Sequence, residues 1–161
     1  MTKISAVVIA KNEENMIADC LDSLSFCDET VVVDNGSDDR TVEIAKKMGA
    51  KAFTLETSDF SKLRNFGLEK AKKEWILYVD ADERVSEGLK NEITHLINDS
   101  DRFEKLNAYF LKRQNFYLGS SKKNEWPYIE KVERLFKKKF IKGWRGELHE
   151  SPVINGEVGE L

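Results

Sequence analysis

The chain has 161 residues, 40% of them hydrophobic and 34% charged, with a formal net charge of −3, which suffices for a buried core and excludes a disordered, highly charged class. Its longest apolar run near the start, Ile4 to Ala10, is too short to span a bilayer and precedes no cleavage-site pattern, so the expectation is a cytoplasmic protein without leader or anchor. The two cysteines, Cys20 and Cys27, stand in no metal-ligand spacing and fit reduced thiols rather than a disulfide framework.

Ile4 to Ala10 predicts a buried strand that runs into a polar turn, Lys11 to Glu14. Ile17, Leu21 and Leu24 recur at helical spacing, predicting a helix from about Glu14 to Ser25. Thr30 to Val33 is a second strand ending in Asp34, Asn35 and Gly36. Ser37 or Asp38 is the expected N-cap of the helix that follows, and Gly49 its stop. Lys51 to Leu55 is a weaker third strand. Asp59 to Lys73 has a helical pattern with Arg64 and Asn65 on its early turns, and leads into Trp75 to Val79, a strand that stops at Asp80, Ala81, Asp82 and Glu83. The order βαβαβαβ predicts a mostly parallel sheet with helices on both faces. A further helix starts at Ser86 or Glu87 and buries Leu89, Ile93, Leu96 and Ile97, with His95 off that face and exposed.

After Asp101 the period changes. Asn107 to Leu118 and Lys131 to Phe136 predict strands, Gly119 to Asn124 a loop, and Pro127 an edge or loop, so residues 101–161 form a β-rich part behind a nucleotide-binding part over 1–100 of one domain. Between Lys112 and Arg145 stand eleven Lys or Arg (112, 113, 122, 123, 131, 134, 137, 138, 139, 142, 145) against three Glu (125, 130, 133), interleaved with aromatics. That composition suits nucleic acid, an anionic membrane surface or a phosphorylated acceptor, and equally a solvated β-face.

The chemistry concentrates at strand ends. In an open α/β sheet ligands sit outside the carboxyl ends of the strands, where Asp34 and the acids at 80–83 fall. Three acids within four residues repel one another, which a solvated turn tolerates and a hard cation exploits, since Mg²⁺ takes one or two carboxylates plus substrate phosphates. No GxGxxG and no GxxxxGK[ST] occurs, so a diphosphate here would be neutralised by a metal and by cations such as Arg64 or Lys11. His149 and Glu150 close the β-rich part among Gly143, Trp144 and Gly146.

The pieces SAVVIAKNEE, ETVVVDNGSDDRT, KLRNFGLEKAKKEWILYVDADE and VERLF followed by GWRGELHE resemble the inverting nucleotide-sugar glycosyltransferases of family 2. Within that family the chain is most similar to bacterial β-glucosyltransferases of the lipopolysaccharide core. The resemblance implies the GT-A fold, a UDP-sugar donor, a glycan or glycolipid acceptor, a Mg²⁺ or Mn²⁺ cofactor, and work at the cytoplasmic face of a membrane; it sets nucleic acid aside. It assigns Lys11, Asn12, Glu13, Asp34 and Asn35 to the uracil and ribose and Arg64 to the diphosphate. It matches Asp80, Ala81 and Asp82 to the family's DxD motif, with Asp82 the direct metal ligand and Asp80 nearer the ribose or a metal-bound water. Glu150 is implied as the catalytic base and His149 as a metal or diphosphate contact. Many relatives have two acids where this chain has Asp34 and Asn35, so the base contact here involves an amide.

Three rivals remain. A phosphatase with a DxDx[TV] nucleophile is disfavoured because Arg84 stands at the hydroxyl or valine position. A sugar-phosphate nucleotidyltransferase expects a glycine-rich loop where this chain has Lys11 to Glu14. A nucleotide-sugar binding module without turnover fits if the acceptor part continues beyond Leu161, as it does in relatives of this type.

Overall fold

The computed structural model describes residues 4–99, 106–115, 128–147 and 149–161. Nine strands and four helices follow one another as β1 (Ile4–Ala10), α1 (Ile17–Ser23), β2 (Glu29–Asp34), α2 (Thr41–Lys47), β3 (Lys51–Thr54), α3 (Phe60–Lys70), β4 (Trp75–Asp80), α4 (Glu87–Asn98), β5 (Ala108–Asn115), β6 (Tyr128–Lys137), β7 (Ile141–Arg145), β8 (Ser151–Ile154) and β9 (Val158–Glu160). Seven of the strands form one sheet in the order β3-β2-β1-β4-β6-β5-β9, and β7 and β8 form a separate antiparallel ribbon. β1 to β4 are parallel, and only β6 runs against its neighbours.

Strand alternation sorts the core into two layers. Ala6, Val8 and Ala10 of β1 face a cluster with Ile17, Leu21 and Ile93 from α1 and α4, whereas Val7 and Ile9 face Leu63 of α3 and Trp144 of β7. Helices therefore cover both faces, as a parallel sheet of continuous apolar strands requires. Gly67 lets α3 lie against β1: a Cβ there would fall 2.3 Å from Val7 Cγ1. Cys20 and Cys27 are free thiols pushed by burial up to about 12, which makes both inert. His95 is exposed.

Several boundaries differ from expectation, each for a tertiary reason. α1 starts at Ile17 rather than Glu14 because the preceding N–H groups are held elsewhere: Glu13 N donates to Thr41 Oγ1 and Glu14 N to Asp39 Oδ2. Neither Ser37 nor Asp38 caps α2, which starts at Thr41; the Ser37 hydroxyl donates to Asp34, and Asp39 Oδ1 accepts from Thr41 N. β7, β8 and β9 are not among the predicted strands: all three are short, and Gly143 and Pro152 interrupt the pattern of β7 and β8. The expected loop at Gly119 to Asn124, Pro127 and the end of the strand predicted to Leu118 lie outside the described residues.

The order β3-β2-β1-β4 places a topological switch point between β1 and β4, where chain connections leave in opposite directions and a crevice opens at the carboxyl edge. Register brings the strand ends level: Ala10 pairs with Asp34 and Ile9 with Asp80. Among the described residues no helix is long and apolar enough to cross a membrane.

Candidate active site

The loops after β1 and β2 are clipped together by neutral hydrogen bonds. Asn12 N donates to Ser37 Oγ at 2.9 Å, and Asp38 N donates to Asn12 Oδ1 at 2.8 Å. Asn12 adopts φ 55°, a left-handed conformation that asparagine tolerates better than most residues. Asp34 is buried and accepts from Gly36 N, Ser37 N and the Ser37 hydroxyl. Asn35 Oδ1 accepts from Thr57 N at 2.9 Å. Of the nucleotide-binding residues expected here, Asp34 thus directs its oxygens into its own loop, while Lys11 and Asn12 are exposed and Glu13 and Asn35 half-buried on the rim.

The end of β4 is organised by charge. Asp80 lies between two buried arginines: Arg64 Nη2 reaches Oδ1 at 3.1 Å and Arg134 Nη2 reaches Oδ2 at 2.7 Å. Burial pushes the Asp80 carboxyl up, but Arg134 and then Arg64 hold it below the usual range. Glu83 folds back to accept from Asp80 N at 2.9 Å and pairs with Arg113 Nη1 at 2.9 Å. The crowding of acids at 80–83 is therefore relieved for Asp80 and Glu83 by arginines. Ala81 is buried, its N–H bonded to Ile9 O, and Asp82 is exposed beside it.

Arg64 also reaches the far end of the chain. Its Nε donates to Glu150 Oε1 at 2.8 Å, and its guanidinium lies 4.9 Å from the Trp144 ring centroid. Asn65, the next residue of α3, grips Trp144 twice, accepting from its N at 2.8 Å and donating to its O at 3.0 Å. Residues 16 and 86 positions from Arg64 are thus joined through one guanidinium. His149 is exposed next to Glu150.

Arg134 was not singled out from sequence. It is the residue left unpaired where the register of β5 and β6 steps from Tyr109–Leu135 to Phe110–Glu133. Such a bulge re-aims a side chain, here onto Asp80. The available signal was an arginine set against Leu135 and Phe136 in a core-bound strand. Four described cations of the basic segment are paired with carboxylates: Arg113 with Glu83 and Glu130, Arg134 with Asp80, and Lys112 and Lys131 with Glu160.

Among the described residues no group of three or more His, Cys, Asp or Glu is poised around one point. Burial raises the Glu13 pKa, and the nearby Asp82 and Asp39 charges raise it further against Arg84. Asp82 thus contributes an exposed carboxylate to a negatively charged rim, a donor set that fits Mg²⁺ or Mn²⁺ when substrate phosphates complete the shell.

Residues 5–147 match the model of glycosyl transferase family 2. Over 98% of its length the chain is 35% identical to an uncharacterized glycosyltransferase of Rickettsia typhi and covers 55% of that relative. It is 26% identical over 97% of its length to the lipopolysaccharide core biosynthesis glycosyltransferase LpsC of Rhizobium meliloti, covering 59% of it. The structure of S. aureus TarS in complex with UDP-GlcNAc superposes with a TM-score of 0.61 at 26% identity, over 75% of this chain and 37% of that one. Glucosyl-3-phosphoglycerate synthase of Mycobacterium tuberculosis, in complex with Mn²⁺, UDP and glucosyl-3-phosphoglycerate, shares the fold with a TM-score of 0.54 at 23% identity, over 73% and 44% of the two chains. The chain therefore spans little more than half the length of the curated relatives it matches. With a GT-A sheet and a family match over most of its length, the chain belongs to glycosyl transferase family 2.

Proposed function

We propose that this chain is the catalytic part of an inverting enzyme that moves a sugar, glucose in the first instance, from a UDP-sugar to a glycan or glycolipid of the cell surface, in lipopolysaccharide or related polysaccharide synthesis. The observation that carries this is the Asp80–Arg64–Glu150 chain, which ties a strand-end carboxylate on the donor side to a second carboxylate on the β-rich side. The Mn²⁺ and UDP bound by the mycobacterial synthase and the UDP-GlcNAc bound by TarS support the donor class.

In this assignment exposed Lys11 and Asn12 and half-buried Glu13 and Asn35 receive the uridine, with Asp34 holding the loop beneath them. Asp82 would hold the divalent cation. When bound, that ion stabilises the negative charge that gathers on the leaving diphosphate. Glu150 accepts the proton of the acceptor hydroxyl through Oε2, while Oε1 is fixed by Arg64. Arg64 is thereby a positioning residue for Glu150 rather than only a diphosphate contact. His149, exposed beside Glu150, is assigned a contact with the metal or the diphosphate. Exposed Lys139, stacked 4.8 Å over Phe140, supplies a cation and an aromatic ring for peripheral contact with the inner face of an anionic membrane.

The test is calorimetry of UDP in chelator and in Mn²⁺. Expected is binding that strengthens with Mn²⁺, a metal effect that Asp82→Ala removes and Asp39→Ala leaves in place, since Asp39 serves Thr41 and Glu14 N–H groups. Equal affinity with and without the ion would remove the metal from the site. Binding without transfer to extracted glycolipids would favour a donor-binding module over an enzyme.

A further inference from the structure

Between α3 and the β7–β8 ribbon lies a cavity of ≈ 550 Å³ that none of the site residues above explains, in the size range of small-ligand sites. Trp144 belongs to both places, since it lines this cavity and lies under the Arg64 guanidinium. A molecule held here is therefore one indole away from the group that positions Glu150.

The lining is asymmetric in charge. Lys142 and Arg145 are exposed on it, and neither has a carboxylate partner among the described residues. Glu69, the acid of the wall, pairs with Lys70 at 2.9 Å, and Lys138 donates to the Ala71 carbonyl at 2.6 Å. Lys142 and Arg145 are the lining cations whose side chains have neither a carboxylate nor a carbonyl partner among the described residues.

Their placement is built by the backbone. In an unbroken strand, residues three apart point to opposite faces. The β7–β8 register, however, steps from Ile141 to Gly143, leaving Lys142 outside the ladder, so that Lys142 and Arg145 both border the cavity. The step depends on Gly143, whose φ of 138° suits glycine and whose Cβ would fall 2.8 Å from Asn65 Oδ1. Asn65 cannot easily yield because it is bonded to both N and O of Trp144. A bulge locked by a helix thus brings the Lys142 and Arg145 donors to the cavity, beside the half-buried Leu68 and Val153 of its wall.

We propose that this cavity is a subsite for a phosphate monoester carried by the acceptor saccharide, resting on the glycosyl-transfer reading above. Arg145 and Lys142 take the phosphate oxygens, the arginine with its planar fork, and half-buried Leu68 and Val153 take the apolar face of a sugar ring. A phosphate on this rim has two sources, a phosphosugar or an anionic lipid headgroup; the apolar Leu68 and Val153 wall beside the cations assigns the phosphosugar.

The experiment uses the full chain labelled with ¹⁵N and follows the Trp144 indole N–H signal during titration with glucose 6-phosphate, glucose and inorganic phosphate. Expected is a saturable shift with glucose 6-phosphate, a weaker one with phosphate, and none with glucose. The exposed double variant Lys142→Glu, Arg145→Glu should weaken glucose 6-phosphate about tenfold or more, as loss of two charge-assisted contacts implies, while UDP affinity stays unchanged. No saturable shift, or the same affinity in the double variant, overturns the subsite. Vesicles of phosphatidylglycerol bound through Lys142 and Arg145 without competition from glucose 6-phosphate would overturn the saccharide assignment in favour of a headgroup. A chain that binds glucose 6-phosphate but not UDP keeps the subsite and removes the glycosyl-transfer reading; UDP binding without glucose 6-phosphate does the reverse.

Discussion

Two buried ionic clusters sit at opposite ends of the same sheet, and they differ in completeness. At the amino end Glu29 accepts from Ser5 Oγ, Lys72 N and Lys51 Nζ, and Ser5 Oγ in turn accepts from Lys73 N. Every partner is local to that end, and neither of the two Glu29 carboxylate oxygens lacks a donor. At the carboxyl end Asp80 is held just as tightly, yet Arg64 Nη1 and Arg134 Nη1 are buried without a hydrogen-bond partner among the described residues. Leaving a buried donor unmade costs about 1–3 kcal/mol, a cost the Glu29 cluster does not carry. The amino-end network is closed on itself, whereas the carboxyl-end one keeps two spare guanidinium nitrogens beside the strand ends.

The comparison is broken most forcefully at Arg64. Arg64→Met removes the shared partner of Asp80 and Glu150, leaving Asp80 to Arg134 alone and Glu150 without its arginine, and should destabilise by up to about 3 kcal/mol, the lower end of what breaking a buried pair costs, with transfer lost. Arg64→Lys, a single point charge, should restore much of the stability seen in denaturant melts but not the transfer rate, because it cannot reach both carboxylates with a fork. Equal rescue of both would reduce Arg64 to a structural ion.

Next in size is Glu150→Gln. It keeps an acceptor oxygen for Arg64 while removing the proton-accepting charge, so UDP affinity should persist and transfer fall by roughly 10² to 10⁴. An unchanged rate would move the base elsewhere in the crevice.

The amino-end cluster is addressed by pH. Despite burial, which raises it, Lys51, Ser5 and Lys72 hold the Glu29 pKa down from 4.5 to about 2. Because the folded value lies below the unfolded one, the stabilisation is fully present above about 4.5 and is lost as pH falls toward 2. Its ceiling is roughly 3 kcal/mol at 1.4 kcal/mol per unit, reduced by the exposure of Lys51. Glu29→Gln should lower stability at neutral pH and flatten its decline over that window, with UDP affinity untouched. A parallel decline in both proteins would show that other carboxylates dominate acid unfolding.

How far the molecule could be read in advance follows from the same physics. β1, β2 and β4 were legible because strands buried on both faces are continuous apolar runs, and their acidic ends marked the carboxyl edge. Arg64, Asp80 and Glu150 were each singled out, but not their contact, which depends on α3 reaching the loop after β7 across the sheet face. Arg134 escaped because a bulge alters which face a residue takes without changing composition. The start of α1 was misplaced because propensity cannot see Thr41 and Asp39 capturing its leading N–H groups.

The smallest expected effect concerns Asn12, which belongs to the neutral clip between the β1 and β2 loops rather than to either ionic cluster. At φ 55° a side chain costs more than glycine does, but the Asn12 Oδ1 also accepts from Asp38 N at 2.8 Å. Asn12→Gly relieves the first and forfeits the second, each about 1 kcal/mol, so stability should move by no more than about 0.5 kcal/mol. Asn12→Ala forfeits the bond and keeps a Cβ in the left-handed region, for a loss of about 1–2 kcal/mol. UDP affinity separates scaffold from contact. If the side chain only shapes the loop, Asn12→Gly should weaken UDP no more than its stability change predicts. A loss of tenfold or more with stability unchanged would make Asn12 a direct partner of the nucleotide, since about 1.4 kcal/mol of binding would have vanished without any from folding.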